Sequence, residues 1–239
     1  IDNGYDAFAL DNGFTMLSDK PGRDAQRSAG ASLRAEYTGW DAVTFTSITS
    51  AADSDIDFSF DADWGNEYSW APVTYDYVTV SERKRNTLSQ EFRLAADDWL
   101  IGFYSLQLAD DLDTRNEGEY YDPFFDFADS LFDPLTSRYD ASSVAVFGQY
   151  EHGLGGRTRL SIGLRGERRT TDYVDTDGLR LGPSDSLWGG ELTLGHQHSA
   201  AVSSYVSLSR GYKAGGFNLG LIPVNQREFR DEAMLNLEA

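Results

Sequence analysis

The sequence predicts an all-β protein, an antiparallel segment of a transmembrane β-barrel with long extracellular loops. Three observations support this prediction. Apolar and polar residues alternate with period two, short turns alternate with long connections, and the strand-like runs have the length of strands that cross a bilayer. No linker divides the 239 residues, so a single domain is expected.

The alternation is clearest in four runs. Between Ser28 and Tyr37, alanine, leucine and tyrosine occupy every second position, while serine, glycine, arginine and glutamate occupy the others. The same period recurs at residues 87–94, 159–167 and 202–209. Because successive side chains of a strand point to opposite faces, each run presents one apolar and one polar face. The three-to-four spacing of an amphipathic helix persists nowhere for long.

The connections alternate strictly between short and long. Short turns are expected at residues 38–41, 96–98, 153–156 and 198–200, and several of them contain the glycines that tight hairpins favour. Long polar, aromatic or acidic connections are expected at residues 52–85, 110–140, 172–186 and 212–230. Outer-membrane barrels have short periplasmic turns and long outer loops, so this order predicts which end faces outward.

The runs amount to eight strands in four hairpins, with a ninth strand that begins near Asp231 and is cut off at Ala239. Residues 1–27 are expected to be the end of an earlier loop, with a strand remnant around residues 5–10. An open sheet would leave two unpaired edges, which lipid does not tolerate. Further strands are therefore expected on both sides of this segment.

Composition narrows the class of protein. The formal net charge of −19 argues against a nucleic-acid partner, which calls for a basic surface. No run approaches the roughly 20 apolar residues of a membrane helix, and strand alternation hides a membrane-facing surface from averaged hydropathy. Cysteine is absent, and so are the motifs of serine hydrolases, zinc proteases and phosphate-binding loops. Neither an enzyme nor a cofactor is expected.

A motif at residues 209–218, Ser-Arg-Gly-Tyr-Lys-Ala-Gly-Gly-Phe-Asn, resembles a hallmark of TonB-dependent receptors. In that family it lies at the outer end of a barrel strand, where the chain enters a loop. Further runs look like strands of the same family in the same order, at residues 44–50, 88–94 with 99–104, 144–150 with 160–167, and 231–238. The resemblance covers most of residues 28–239 and assigns the whole chain to part of one receptor-like barrel domain.

The resemblance implies a barrel of about 22 strands in the bacterial outer membrane, plugged by an N-terminal domain. It implies import of a scarce nutrient, such as an iron–siderophore complex, cobalamin or an oligosaccharide, driven through the inner-membrane partner TonB. The plug, the segment that TonB grips and the C-terminal strands lie outside this sequence. Outer-membrane lipid and lipopolysaccharide are the expected surroundings.

Aromatic residues of the long connections are the first candidates for ligand contact, because their rings can stack on a catecholate or a sugar. The candidates are Trp64, Tyr68, Trp70, Tyr120, Tyr121, Phe124 and Phe125. The alternative is an aromatic girdle at the membrane interface, with the neighbouring acids solvated. The acidity of the loops disfavours a strongly anionic chelate that is caught by charge alone.

Two further groups of candidates follow from the resemblance and from the alternation. The family motif contributes Arg210, Gly211, Tyr212, Lys213, Gly215, Gly216, Phe217 and Asn218, where the glycines suit loop geometry and Lys213 a surface or plug contact. The polar face of the strands contributes Arg34, Glu36, Glu91, Arg93, Arg165 and Glu167, which are expected to face the lumen. There they would pair with one another, with the plug or with a ligand.

A metal site is not expected. Asp53, Asp55 and Asp57 have the spacing of the first ligands of an EF-hand, but Phe58 and Trp64 occupy the positions that need glycine and glutamate. The histidine pair at residues 196 and 198 shares a strand face beside a turn, where histidines are more often solvated. A looser divalent site among the loop acids, or a divalent bridge to lipopolysaccharide, stays open.

Two alternatives to a receptor segment stay open at this point. A complete small outer-membrane barrel with a structural or adhesive role would suit eight strands, although the cut ninth strand argues against it. A soluble, carbohydrate-binding β-sandwich would place similar alternating strands in two packed sheets.

Overall fold

The computed structural model describes residues 18–66, 68–218 and 226–239, which contain twelve β-strands. The strands are β1 (Arg23–Trp40), β2 (Val43–Asp61), β3 (Thr74–Ala95), β4 (Trp99–Asp122), β5 (Phe127–Gly153), β6 (Thr158–Asp175), β7 (Arg180–Leu181), β8 (Ser184–Gln197), β9 (Ser203–Lys213), β10 (Gly216–Phe217), β11 (Glu228–Phe229) and β12 (Glu232–Glu238). Among these residues no helix is long and apolar enough to cross a membrane.

Ten of the strands form one antiparallel sheet in which each long strand pairs with its neighbours in sequence. The order is β1-β2-β3-β4-β5-β6-β8-β9-β12, and β7 pairs with β6. This order confirms the predicted eight strands and partial ninth. Within the described part of the chain the remaining sheet is the two-stranded β10–β11 hairpin. A β-sandwich needs two large sheets packed face to face, so that alternative is not supported.

The short turns lie where the alternation predicted them, with bounds that differ by at most three residues. They cover residues 41–42, 96–98, 154–157 and 198–202. All four connect the same ends of their strands, as the predicted periplasmic side requires.

The long connections are much shorter than predicted, because the strands continue into them. The connection expected at residues 52–85 covers only residues 62–73, and the one expected at 110–140 covers only residues 123–126. Strand β5 is 27 residues long, and β1 begins at Arg23 rather than at residue 28. Acidic residues interrupt the apolar alternation there, but backbone pairing between strands does not depend on apolar side chains.

The other two long connections contain short strands. Residues 172–186 hold the end of β6, the two residues of β7 and the start of β8. Residues 212–230 hold the end of β9 and the β10–β11 hairpin, while residues 219–225 lie outside the described part. The strand remnant expected at residues 5–10 also lies outside it.

The two faces of the sheet differ in exposure. We call the face that bears Ala145 and its cross-strand partner Glu167 the inner face, and the face that bears Val146 the outer face. Ala141 and Ala145 on the inner face are 6% and 2% exposed, whereas Val146 is 65% exposed. A curved sheet crowds the side chains on its concave side, so we assign the inner face to the concave side.

On eight of the long strands, the outer face carries an uninterrupted band without charged residues, seven to twelve residues long. This membrane band covers residues 29–40, 43–52, 87–95, 99–108, 142–153, 158–167, 187–197 and 203–209, with outward residues such as Leu33, Phe92, Phe103 and Leu164. About ten residues of tilted strand cross a bilayer. Beyond the band the outer face becomes charged, beginning on β2 and β5 with Asp53 and Asp140. The long strands therefore continue past the membrane into water.

Glycines on the inner face make room for aromatic rings of the neighbouring strand. A Cβ atom added to Gly102 would collide with the ring of Phe147, its cross-strand partner. Gly189 likewise makes room for the Arg210 backbone and the Tyr212 ring. A Cβ atom on Gly189 would lie 2.9 Å from the Arg210 carbonyl oxygen and 3.2 Å from the Tyr212 ring. These pairs fix the ring positions close to the wall.

Candidate functional site

The part of the inner face that lies beyond the membrane band carries a cluster of charged side chains in mutual contact. Its centre is the carboxylate of Asp110, which is 4% exposed. Arg83 donates from Nε and Nη2 to its two oxygens at 2.6 and 2.5 Å. Arg85, directly opposite Asp110 in the register, donates from Nε and Nη2 to Oδ2 at 3.0 and 2.8 Å.

This cluster, formed by Arg83, Arg85 and Asp110, has a net charge of +1. Burial alone would raise the pKa of the Asp110 carboxyl group, but the hydrogen bonds from Arg83 and Arg85 outweigh it and hold the pKa below its ordinary value. The two arginine side chains are 37% and 40% exposed, so the guanidinium groups are accessible from the space in front of the inner face.

An aromatic surface continues the same row of the sheet. Tyr139 is the cross-strand partner of Asp110, and Tyr173 is the partner of Tyr139. The ring of Phe217 stacks on Tyr173 with centroids 5.1 Å apart and meets Tyr139 edge-on at 5.7 Å. Arg169 donates from Nη2 to the Tyr139 hydroxyl group at 2.9 Å. We call Tyr139, Tyr173 and Phe217 the inner aromatic surface.

The β10–β11 hairpin is anchored to this surface by charge as well as by Phe217. Arg227 donates to Asp175 at 3.3 Å and to Asp177 at 3.2 Å. The Tyr173 hydroxyl group donates to Asp175 at 2.9 Å. Burial and this hydrogen bond to a carboxylate raise the pKa of Tyr173 to about 12, so its phenol stays neutral.

A second aromatic cluster lies farther out, near the ends of β3, β4 and β5. Tyr75 is central, with ring centroids 5.6 Å from Trp70, 4.7 Å from Tyr77 and 6.5 Å from Tyr120. Tyr120 in turn meets Phe127 at 6.2 Å. By strand alternation Tyr75, Tyr77, Tyr120 and Phe127 belong to the inner face, and we call these residues with Trp70 the outer-end aromatic cluster.

The structure therefore brings together two of the predicted ligand-contact aromatics, Trp70 and Tyr120, through Tyr75. The remaining five do not join this cluster. Tyr121 lies on the outer face of β4, and its hydroxyl group meets Asp126 at 3.4 Å. The others are highly exposed in the connections, with exposures of 50% for Trp64, 77% for Tyr68, 74% for Phe124 and 81% for Phe125.

The six charged residues expected in the lumen all lie on the inner face, within the membrane band. They form three ion pairs between residues two apart on one strand, namely Arg34–Glu36, Arg93–Glu91 and Arg165–Glu167. The Arg165 guanidinium also lies 5.4 Å from the ring of Tyr104. These pairs satisfy the charges locally, and contact of these residues with a ligand stays a prediction.

The motif at residues 209–218 connects β9 of the large sheet to the β10–β11 hairpin. Tyr212 donates to Glu167 at 2.8 Å and accepts from Arg165 at 2.9 Å, while the Arg210 guanidinium lies 4.1 Å from the centre of the Trp188 ring. Lys213 lies 5.9 Å from the ring of Phe229, and Asn218 bonds through its backbone to Arg227 at 2.6 Å.

The glycines of the motif differ in what surrounds them. A Cβ atom on Gly215 would lie 2.6 Å from the Phe229 carbonyl oxygen, and one on Gly216 would lie 2.7 Å from the Phe229 ring. Close packing against Phe229 therefore supports the expectation that these glycines serve loop geometry. Gly211 has no neighbour near its Cβ position, and nothing in the structure explains it.

Several candidate metal ligands of the sequence contact other side chains. Within the described ranges, no group of three or more histidine, aspartate or glutamate side chains is placed to hold a metal ion. Asp53, Asp55 and Asp57 point outward from one extended strand, and Asp57 pairs with Arg23 at 2.8 Å. His196 and His198 bond to the hydroxyl groups of Thr158 and Ser204, both at 2.8 Å.

The sequence pattern missed the cluster of Arg83, Arg85 and Asp110, because all three fell inside connections that were predicted as loops. A signal was available. Arg83 and Arg85 continue the odd-numbered series of Glu91 and Arg93 without a break, so extending the alternation through residue 83 would have placed them on the inner face.

The family model described as TonB dependent receptor-like, beta-barrel matches residues 2–225. No curated protein matches this chain. Among solved structures, the ferric yersiniabactin uptake receptor FyuA from Yersinia pestis is similar, with a TM-score of 0.63 and 17% identity over 89% of this chain and 32% of that chain.

Two further structures show the same fold. The ferric preacinetobactin receptor BauA from Acinetobacter baumannii has a TM-score of 0.57 and 13% identity, over 94% of this chain and 36% of that chain. The ferric-catecholate import receptor Fiu from E. coli K12 has a TM-score of 0.56 and 12% identity, over 84% of this chain and 39% of that chain. This chain thus spans about a third of each of these structures.

The match to the family model covers most of the chain, and the unclosed antiparallel sheet agrees with one section of such a barrel. Members of this family are receptors and transporters of the Gram-negative outer membrane that act with TonB on small ligands. The chain belongs to the TonB-dependent receptor family and forms part of its β-barrel domain.

Proposed function

We propose that this chain is part of the barrel wall of an outer-membrane receptor that binds and imports a scarce nutrient, such as an iron–siderophore complex. The observation that carries the proposal is the aromatic lining of the inner face beyond the membrane band. Two groups of rings contribute to it, the inner aromatic surface and the outer-end aromatic cluster.

The position of these rings suits ligand capture. The β4–β5 wall continues for about 14 residues past the membrane band, roughly 45 Å of strand at about 3.3 Å per residue. A ligand that enters from outside therefore passes the outer-end aromatic cluster before it reaches the inner aromatic surface. Flat, rigid rings at both levels offer stacking surfaces for catecholate or other planar chelating groups.

The other readings of the sequence are less well supported. The terminal strands of the sheet, β1 and β12, do not pair with each other, so the described part of the chain is not a closed small barrel. The family consists of receptors and transporters, and we propose no enzymatic activity. Oligosaccharides also stack on aromatic rings, so the experiment tests defined glycans separately from ferric complexes.

The test uses the full-length receptor in a strain that lacks the gene, grown under iron limitation or on defined glycans. We expect one ferric siderophore to restore growth and to bind the purified receptor. Tyr120→Ala should weaken that binding about three- to tenfold, since it removes a stacking ring. Tyr121→Ala, the neighbouring ring on the outer face, is the matched control and should leave binding unchanged.

Failure of every ferric complex to bind or to restore growth would contradict the proposal. Growth restored by a glycan instead would assign the receptor to carbohydrate uptake. Equal losses in Tyr120→Ala and Tyr121→Ala would show that the inner face has no special role in capture.

A further inference from the structure

We infer that Arg83 and Arg85 are specificity-determining residues that select anionic ligand complexes at the inner face of the receptor. The inference rests on the proposed function, since it names the charge class of the ligand that the same wall receives. It is carried by the cluster of Arg83, Arg85 and Asp110, by the charge difference between the two faces, and by the inner aromatic surface beside it.

The acidity of the chain is concentrated on the outer face. Four segments of β2, β3, β4 and β5 lie side by side in the sheet just beyond the membrane band. They are residues 53–57, 82–86, 109–113 and 136–140. Their outer-face positions hold seven acidic and two basic residues, whereas their inner-face positions hold one acidic residue, Asp110, and two arginines. The ligand therefore faces a positive surface here, and the expectation that loop acidity disfavours an anionic chelate does not apply to this part of the wall.

Asp110 holds the two guanidinium groups side by side. Each arginine uses Nε and Nη2 for its bonds to the carboxylate, which leaves Nη1 of both outside these four bonds. Fixing two long side chains in advance lowers the entropy lost when a ligand binds. Planar guanidinium groups are suited to bidentate contact with carboxylate or catecholate oxygens.

The neighbouring row adds a flat surface and another donor. Tyr139 lies directly across from Asp110, and Phe217 stacks over Tyr173 next to it. Arg169 donates from Nη2 to the Tyr139 hydroxyl group, which places a third guanidinium group beside this aromatic surface. Cationic and aromatic groups thus occupy adjacent positions, as an anionic aromatic chelate requires.

The test measures the affinity of the full-length receptor for ferric complexes of different charge, with a ferric tris-catecholate as the anionic probe and a neutral ferric hydroxamate as the reference. Arg83→Gln and Arg85→Gln are tested singly, because the remaining arginine still pairs with Asp110 and protects folding. Lys84→Gln is the matched control, since it removes the same charge from the outer face between them.

We expect each arginine variant to lose about tenfold in affinity for the anionic complex and less than about twofold for the neutral one. Lys84→Gln should behave as the unmodified receptor does. Added salt should weaken anion binding more in the unmodified receptor than in the arginine variants, since the partly exposed charges are screened.

Two different failures can be distinguished. If the receptor binds ferric complexes but the arginine variants match Lys84→Gln, the inference is overturned and the proposed function stands. If the unmodified receptor binds no ferric complex of either charge, the proposed function itself fails. Equal loss for neutral and anionic complexes would mean a structural role, and would also overturn the inference.

Discussion

Asp110 and Asp111 are adjacent acids with opposite environments, because successive residues of a strand face opposite sides of the sheet. Asp110 is buried between two arginines on the inner face, whereas Asp111 belongs to the outer face. Composition alone cannot separate them, since both lie in an acidic stretch. The parity that separates them can be read from the sequence once the strand is known to continue through residue 110.

Asp110→Asn should destabilise the receptor, because it removes the negative charge that separates two guanidinium groups. We expect a loss of about 2 kcal/mol in the free energy of unfolding, measured by urea unfolding in lipid vesicles. Asp111→Asn, on the outer face, should change it by less than about 0.5 kcal/mol.

The pH dependence provides a second readout of the same residue. The folded-state pKa of Asp110 is lowered, so its contribution is present above the ordinary pKa of aspartate and is lost as the pH falls through the lowered value. The acid-induced loss of stability should therefore be smaller in Asp110→Asn than in the unmodified receptor. Equal acid sensitivity of the two proteins would contradict this account.

At the scale of the elements, strands within the membrane band were predictable and their outer continuations were not. In lipid one face must be apolar, so the alternation of strands such as β6 is visible in the sequence. Beyond the band both faces meet water, and β2 continues through Asp53, Asp55 and Asp57 without an apolar partner series. Backbone pairing and polar or aromatic contacts between side chains maintain these extensions, and neither produces an alternation of apolar and polar residues in the sequence.

The β10–β11 hairpin depends on a small number of anchors. Asp175→Asn should weaken the contact with Arg227 and with the Tyr173 hydroxyl group, since it removes the charge that both of them approach. We expect amide hydrogen exchange of residues 216–218 and 226–229 to rise about tenfold or more, while the β4–β5 pairing keeps its protection. Asp172→Asn, on the outer face of the same strand, is the control. Unchanged exchange in Asp175→Asn would show that contacts other than those of Asp175 hold the hairpin.

For the whole molecule, the sequence predicted the order of the strands and the clustering of the short turns at one end better than it predicted the site. Short turns identify one end of the sheet, and the prediction that this end faces the periplasm rests on the family resemblance. The site depends on contacts across strands, such as Arg83 with Asp110 and Phe217 with Tyr173. The alternation gives only the face on which each residue lies, whereas strand register and the position of the β10–β11 hairpin decide which residues meet.

The membrane band makes a quantitative prediction for the whole barrel. Val146→Arg places a charge on its outer face, where Val146 is 65% exposed to the surroundings. We expect this substitution to lower the free energy of unfolding, measured in lipid vesicles, by about 2–4 kcal/mol. Thr136→Arg is the control, because Thr136 lies on the outer face of the same strand but beyond the membrane band. It should lower the free energy of unfolding by less than about 1 kcal/mol. Comparable costs at both positions would contradict the placement of the band.

The unequal lengths of β5 and β6 have a consequence for crowding at the cell surface. In the described part of the chain, no strand pairs with the side of β5 that faces β6 from Phe127 to Leu135, because β6 ends opposite Ser137. Such a free edge, raised above a densely packed membrane, could join the edge of a neighbouring receptor as an added strand. Pro134 lacks an N–H group to donate to such a strand, and Asp129 and Asp133 would repel the same residues of a second copy. These residues protect the exposed edge against pairing with the same edge of a second copy. Receptors can therefore be crowded in the membrane without aggregating through their outermost strands.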